Sequence, residues 1–161
     1  MHPGAAGPFF NLGKPVLADK ADVNVIHDVR GWTEEFSVNV KLFDTQHRRL
    51  VGLITRLETA MREGRARREM AEILSDLADY AGEHFATEET VLKAYDFPRR
   101  DTHALEHRQF SALICNLQIQ SASDKPAMSV RVLDDLKEWL SRHVLGSDKM
   151  YTEHLNARGL F

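Results

Sequence analysis

HFATEE, residues 84–89, lies inside a helical pattern and sets His84 and Glu88 four positions apart. That spacing puts an imidazole and a carboxylate on one helix face, about a turn apart. Ile73, Leu77 and Val91 share the face, so both polar groups are directed to the apolar side. A histidine and a glutamate in a core are costly unless something pairs with them. What that partner is decides how the rest of the chain is read.

Outward from this stretch, apolar residues recur at steps of three and four in four segments, the amphipathic signature of helices. Over 44–63 the stripe holds His47, Leu50, Val51, Ile54, Leu57 and Met61, with Asp44 as the expected N-cap and Gly64 as the stop. Over 67–94 it holds Met70, Ile73, Leu74, Leu77, Tyr80, His84, Glu88 and Val91, and a turn through Asp96, Phe97 and Pro98 ends it. The third, 101–121, aligns His103, His107, Phe110, Ile114 and Leu117. A loop through Ser123, Asp124 and Pro126 leads to the fourth, 129–145, with Val132, Leu136, Trp139 and His143 inward, interrupted at Gly146 and followed by a short tail. Four such helices with short connections and no strand signal predict an all-α fold, an up-down-up-down antiparallel four-helix bundle.

The first 31 residues differ from the rest. Pro3, Pro8, Pro15, Gly4, Gly7 and Gly13 fall in their first half and resist a helix. The expected division is an extended, irregular N-terminal arm over 1–31, with Phe9 and Phe10 as docking points for a protein partner, and the bundle over 32–161. Trp32 and Phe36 open the folded part. The RARR run at 65–68 sits at a helix–helix turn and reads as a solvated turn rather than a basic binding patch.

At 161 residues, with 43% hydrophobic and 28% charged residues, the chain has the composition of one globular domain with a real core. A net charge of -3 offers no attraction to nucleic acid or to an acidic membrane. One cysteine, Cys115, excludes an internal disulfide framework and suits a reducing compartment; it is expected to be a small buried thiol beside Ile114. No apolar run approaches the ~20 residues of a membrane span, and the start lacks the features of a secretory signal. The expected location is cytoplasmic.

Every helical stripe carries histidine: His47, His84, the pair His103 and His107, and His143. Five histidines inside one bundle would need many separate hydrogen-bond partners, or protonation in a dry interior. A metal supplies a partner to all of them at once. The four-residue steps His103 to His107 and His84 to Glu88 let both members of each pair reach one metal. Asp148 stands five after His143, a rotation of about 140° in an uninterrupted helix, and a helix end at Gly146 would swing it back toward the core. Five histidines and two carboxylates exceed one tetrahedral zinc, and mixed imidazole and carboxylate donors suit iron among a few transition metals. If two irons each take about six positions, the histidines, two bridging carboxylates and one bridging solvent oxygen fill all but one. An open position on a reduced metal is where a small diatomic can bind.

Gln46–His47, HFATEE at 84–89, HALEH at 103–107 and WLSRHVLGSDKMY at 139–151 together resemble the hemerythrin family, specifically the bacterial hemerythrins. The resemblance spans about residues 32–154 and includes all seven ligand positions of the family pattern. It implies two non-haem iron ions (Fe2+/Fe3+) with a bridging oxo or hydroxo group. His103, His107 and His143 would hold one iron, His47 and His84 the other, open one, with Glu88 and Asp148 bridging. It implies reversible binding of dioxygen, for storage, delivery or sensing, in a protein that is not an enzyme. Leu50, Phe85, Trp139, Leu140 and Val144 match positions lining the family's oxygen pocket. In that family the proton that accompanies oxygen binding comes from the bridging hydroxide, so the resemblance implies that no further acid is required, and none is expected on the inner stripes.

Some residues depart from the family or lie outside its motif. Asn39 stands where glycine is usual before the first helix, and Leu92 where methionine often follows the EE pair. His2, His27 and His154 have no place in the pattern and are expected at the surface; Glu89 is expected to be a solvated charge. The rival functions are an enzyme acting on peroxide, nitric oxide or ferrous iron at the same centre, and an interaction module working through the arm. Ferritin-like enzymes use mainly glutamates with Glu-x-x-His pairs, and HExxH proteases need that motif; neither pattern is present.

Overall fold

Helical periodicity is the dominant signal along the chain, and the computed structural model describes residues 30–121 and 127–161, whose regular elements are all helical, with no strand among them. Most of the expected arm, with His2, His27, Phe9 and Phe10, and the expected loop through Ser123, Asp124 and Pro126 lie outside the described residues. A 3-10 turn, Glu34–Phe36, precedes four long helices: α1 (Lys41–Arg62), α2 (Ala66–Ala94), α3 (Arg100–Ser121) and α4 (Ala127–Arg142). The α4 backbone continues through a π-helical turn, His143–Asp148, into α5 (Lys149–Asn156). Neighbouring helices pack in the order α1–α2–α3–α4 with α4 returning to α1, the four-helix bundle expected. No helix among the described residues is long and apolar enough to cross a membrane.

Local chemistry sets the ends. Gly64 adopts φ +69 after α1, and the Arg65 and Gly64 amides donate to the Ala60 and Met61 carbonyls, a Schellman closure. α2 ends the same way with Asp96 at φ +52, where the Phe97 amide donates to the Leu92 carbonyl and both side chains are buried in one cluster. The start of α1 differs from expectation. Val40, not Asp44, is its cap residue, and Asp44 lies within the first turn. Its carboxylate reaches back to accept from the Val38 amide at 2.7 Å and from the Ser37 hydroxyl at 2.6 Å. Asn39 takes φ +52, a left-handed conformation that asparagine tolerates better than most residues, and that is the reason glycine suits the position.

The fourth helix carries the larger difference. Gly146 does not end it. The π turn instead closes each residue onto the one five ahead, so His143 and Asp148 return to one face without a break in the helix. The expected tail is therefore largely helix, and it buries Tyr151 and Leu155.

Two apolar clusters fill the bundle. The larger runs from Met70, Leu57 and Leu117 to Phe85, Leu140 and Val144. The smaller joins Val38, Val40, Phe43, Leu92, Phe97, Tyr151 and Leu155. Burying side chains of this kind stabilises by about 1.5–3 kcal/mol each relative to exposure. The polar residues sit at the junction, with Phe43 and Tyr151 on one side and Tyr80 and Phe85 on the other.

Candidate metal centre

α1, α2, α3 and the π turn that continues α4 contribute their inward histidines to one place. His47, from α1, and His84, from α2, have ring centroids 4.9 Å apart. His103 and His107, from α3, and His143, from the π turn, form a second group with centroids 4.5, 4.7 and 5.0 Å apart. The nearest approach recorded between the groups is 6.3 Å, from His84 to His107. Between them lie the carboxylates of Glu88 and Asp148, both fully buried. Glu88 belongs to two clusters of potential ligand atoms, one with His103, His107 and His143 and one with His47 and His84. Asp148 presents Oδ1 to His143 Nε2 at 3.2 Å and to His103 Nε2 at 3.5 Å, and Oδ2 to His47 Nε2 at 3.2 Å. Its two oxygens thus face the two groups separately. All seven residues singled out in the sequence are brought together.

The outer nitrogens of three histidines are anchored. His84 Nδ1 lies 2.9 Å from Gln46 Oε1, His107 Nδ1 2.9 Å from Glu89 Oε1, and His143 Nδ1 2.7 Å from Glu106 Oε2. Carboxylate oxygens and the amide oxygen of Gln46 accept, so these Nδ1 atoms donate, and the lone pair of each ring is left at Nε2 facing inward. Burial lowers the pKa of His84 and of His143 to about 3, and also lowers that of His47. Neutral imidazoles are the form that binds metals. Burial also depresses His103, but its hydrogen bond to Glu88, at 2.8 Å, and the nearby carboxylate charges outweigh this and raise it. For the carboxylate pair, burial and the Glu88 charge push Asp148 well up, whereas the surrounding histidines overcome burial and hold Glu88 well down.

These residues fit a metal on the evidence of their own unmet bonds. The inward Nε2 atoms of His47, His84, His107 and His143 and both oxygens of Asp148 are buried without a hydrogen-bond partner among the described residues. Leaving such atoms unpaired costs about 1–3 kcal/mol each, and here they converge. One feature departs from a symmetric bridge: Tyr151 donates to Glu88 Oε1, so Oε2 is the oxygen shared by the histidines.

Several residues around the centre differ from expectation. Glu89 is not simply a solvated charge; although 44% exposed, its carboxylate holds His107. Glu106, tucked between His143 and solvent, is a carboxylate that the inner stripes were not expected to need. The signal for both was the requirement that a metal-binding histidine have an acceptor for its second N–H, which intrahelical spacing does not express. His154 is half-buried, 2.8 Å from the Tyr95 carbonyl and edge-on to Phe97, and ties α5 to the end of α2. Cys115 is exposed rather than buried, one position off the Ile114 stripe. Of the five expected pocket residues, Leu50, Phe85, Leu140 and Val144 are buried in the larger cluster and Trp139 packs against it. Phe85 stacks on His107 at 3.9 Å and Trp139 on His143 at 4.4 Å.

Replacing Glu106 with alanine removes the acceptor that orients His143. Metal affinity is expected to fall by about 10–100-fold, read by competition with a coloured chelator, with a smaller loss for Glu106→Gln.

The family model described as "Hemerythrin HHE cation binding domain" matches residues 38–155. A bacteriohemerythrin of Stenotrophomonas maltophilia (strain R551-3) is 26% identical over 128 residues, 78% of this chain and 81% of that protein. Another, of Methylococcus capsulatus (strain ATCC 33009 / NCIMB 11132 / Bath), is 28% identical over 127 residues, 78% and 96% of the respective chains. Among solved structures, a wild-type hemerythrin crystal structure superposes with a TM-score of 0.64 at 28% identity, covering 77% of this chain and 95% of its own.

Proposed function

Because the chain belongs to the hemerythrin HHE cation-binding family, we propose that it binds dioxygen reversibly at a pair of non-haem irons with a bridging oxo or hydroxo group. The ligands in this reading are His47, His84, Glu88, His103, His107, His143 and Asp148. The observation that carries it is the convergence of buried Nε2 and carboxylate atoms, those of His47, His84, His107, His143 and Asp148 without a hydrogen-bond partner among the described residues, into a group of three histidines and a group of two. When bound, the irons supply the electrons that dioxygen binding requires.

The protein's part is positional. Gln46, Glu89 and Glu106 hold three imidazoles by Nδ1 and aim their Nε2 lone pairs. Asp148 offers one oxygen to each group, and Tyr151 keeps Glu88 in place between them. The unequal histidine count leaves the His47 and His84 side with fewer protein donors, and that is the side proposed to take the gas. Phe85, Leu50, Leu140, Val144 and the partly buried Trp139 keep the surroundings apolar and limit the entry of water that would promote irreversible oxidation.

The test is a visible spectrum of the reduced, iron-loaded protein taken before air, in air, and after the gas is removed. The expected result is a band that appears with oxygen and disappears under vacuum. A single irreversible change, with turnover of peroxide, overturns reversible binding in favour of an enzyme. The seven proposed ligands all lie between positions 47 and 148, so removal of residues 1–30 is expected to leave the spectrum and iron content unchanged. Loss of either would make that segment part of the site.

A further inference from the structure

Tyr80 is a buried residue at the centre whose hydroxyl belongs neither to the proposed ligands nor to the groups that orient them. Its side chain is 1% exposed. Its ring stacks on His84, with centroids 5.1 Å apart and planes 20° from parallel, and meets Phe85 edge-on at 6.4 Å. Its hydroxyl is buried and without a hydrogen-bond partner among the described residues. Tyrosine is inside this bundle by helical spacing, four positions before His84. Yet phenylalanine would fill the same space and stack on the same imidazole without leaving an unpaired hydroxyl, a deficit of about 1–3 kcal/mol. The other tyrosine at the centre, Tyr151, shows the contrast, because its hydroxyl is taken up by Glu88.

We infer that the Tyr80 hydroxyl donates a hydrogen bond to the small exogenous ligand held on the His47 and His84 side of the centre. Three observations support this assignment: the contact with His84, which is one of the two histidines on that side; the absence of a protein acceptor among the described residues; and the apolar surroundings provided by Phe85. A phenol among apolar side chains gains most from an acceptor that arrives carrying negative charge, since charge-assisted hydrogen bonds are about twice as strong as neutral ones. Small anions and reduced dioxygen are both ligands of that kind. A phenol hydroxyl has one O–H to donate, and its ordinary pKa of about 10 keeps that proton in place near neutral pH.

The inference rests on the diiron reading and deepens it by naming a residue that sets ligand retention. The test compares the wild-type protein and Tyr80→Phe, both loaded with ferric iron and titrated with azide as the probe anion. Azide affinity is expected to fall about tenfold in the variant, the equivalent of one charge-assisted hydrogen bond, with iron content unchanged. A second measurement separates ligand binding from structure. The iron-free variant is expected to melt at or above the wild-type temperature, because no protein partner is lost. Equal azide affinity in two equally loaded proteins overturns the role of Tyr80 and leaves the diiron reading standing. A drop of about 2–4 °C in the iron-free melting temperature, the size expected for one lost structural hydrogen bond, overturns it as well. Failure of the wild type to load iron or bind azide overturns both.

Discussion

Glu88→Ala is expected to yield a protein that no longer retains two irons. Glu88 Oε2 is the atom around which both histidine groups gather: His103 lies at 2.8 Å, His107 at 3.1 Å and His84 at 3.8 Å. Its other oxygen accepts from Tyr151. Alanine removes the shared negative charge and leaves a buried phenol hydroxyl without its acceptor, a further loss of about 1–3 kcal/mol. The fold is thus weakened in the same variant, so Glu88→Gln is the sharper comparison. Glutamine keeps the shape and can still accept from Tyr151, yet is neutral and a poor ligand. It is expected to fold and to bind at most one iron per chain, measured by metal analysis after desalting. Two tightly held irons in the glutamine variant would show that Glu88 is not a ligand.

Removal of the metal has the second large effect. Ligand atoms preassembled in a folded core are not preassembled in the unfolded chain, so metal affinity becomes folding stability. At free iron about a thousandfold above the dissociation constant, that contribution is about 4 kcal/mol. For a chain of this size the melting temperature is expected to fall by about 8–16 °C on chelation, at about 2–4 °C per kcal/mol. The metal-free protein is nevertheless expected to stay folded. Both apolar clusters close without a metal, and part of the buried polar set is internally paired, as in His103 with Glu88 and Tyr151 with Glu88. Calorimetry before and after chelation checks this. Identical melting curves would mean that the converging donors hold nothing of consequence.

Much of the site was legible because its residues obey the spacing of single helices. His84 with Glu88 and His103 with His107 are four-residue steps, and burial of all four follows from the stripes they occupy. The bundle followed from the same periodicity. Asp148 was legible as a candidate ligand that returns to the core, but the reason for its placement was not. A five-residue step suggested a helix ended by Gly146, whereas a π turn carries the helix through and still aligns His143 with Asp148. Both solutions return the aspartate to the core, and sequence spacing does not distinguish them.

What spacing missed lies between helices. Glu89 and Glu106 each serve a histidine on a neighbouring helix, at 2.9 and 2.7 Å. On their own helices they sit beside the stripe and look like surface charges. Tyr151 was out of reach for a related reason, because it meets Glu88 only if the helix continues past Gly146. His154, Asp44 and Cys115 turn on which way a single residue at the edge of a stripe faces, and that is decided by packing against another element.

Parallel measurement of iron content and dioxygen uptake in one anaerobically reduced sample tests the central claim most directly. The account predicts about two irons per chain, one dioxygen taken up per two irons, and recovery of the reduced protein when the gas is withdrawn. One iron per chain, or uptake that cannot be reversed, would contradict it.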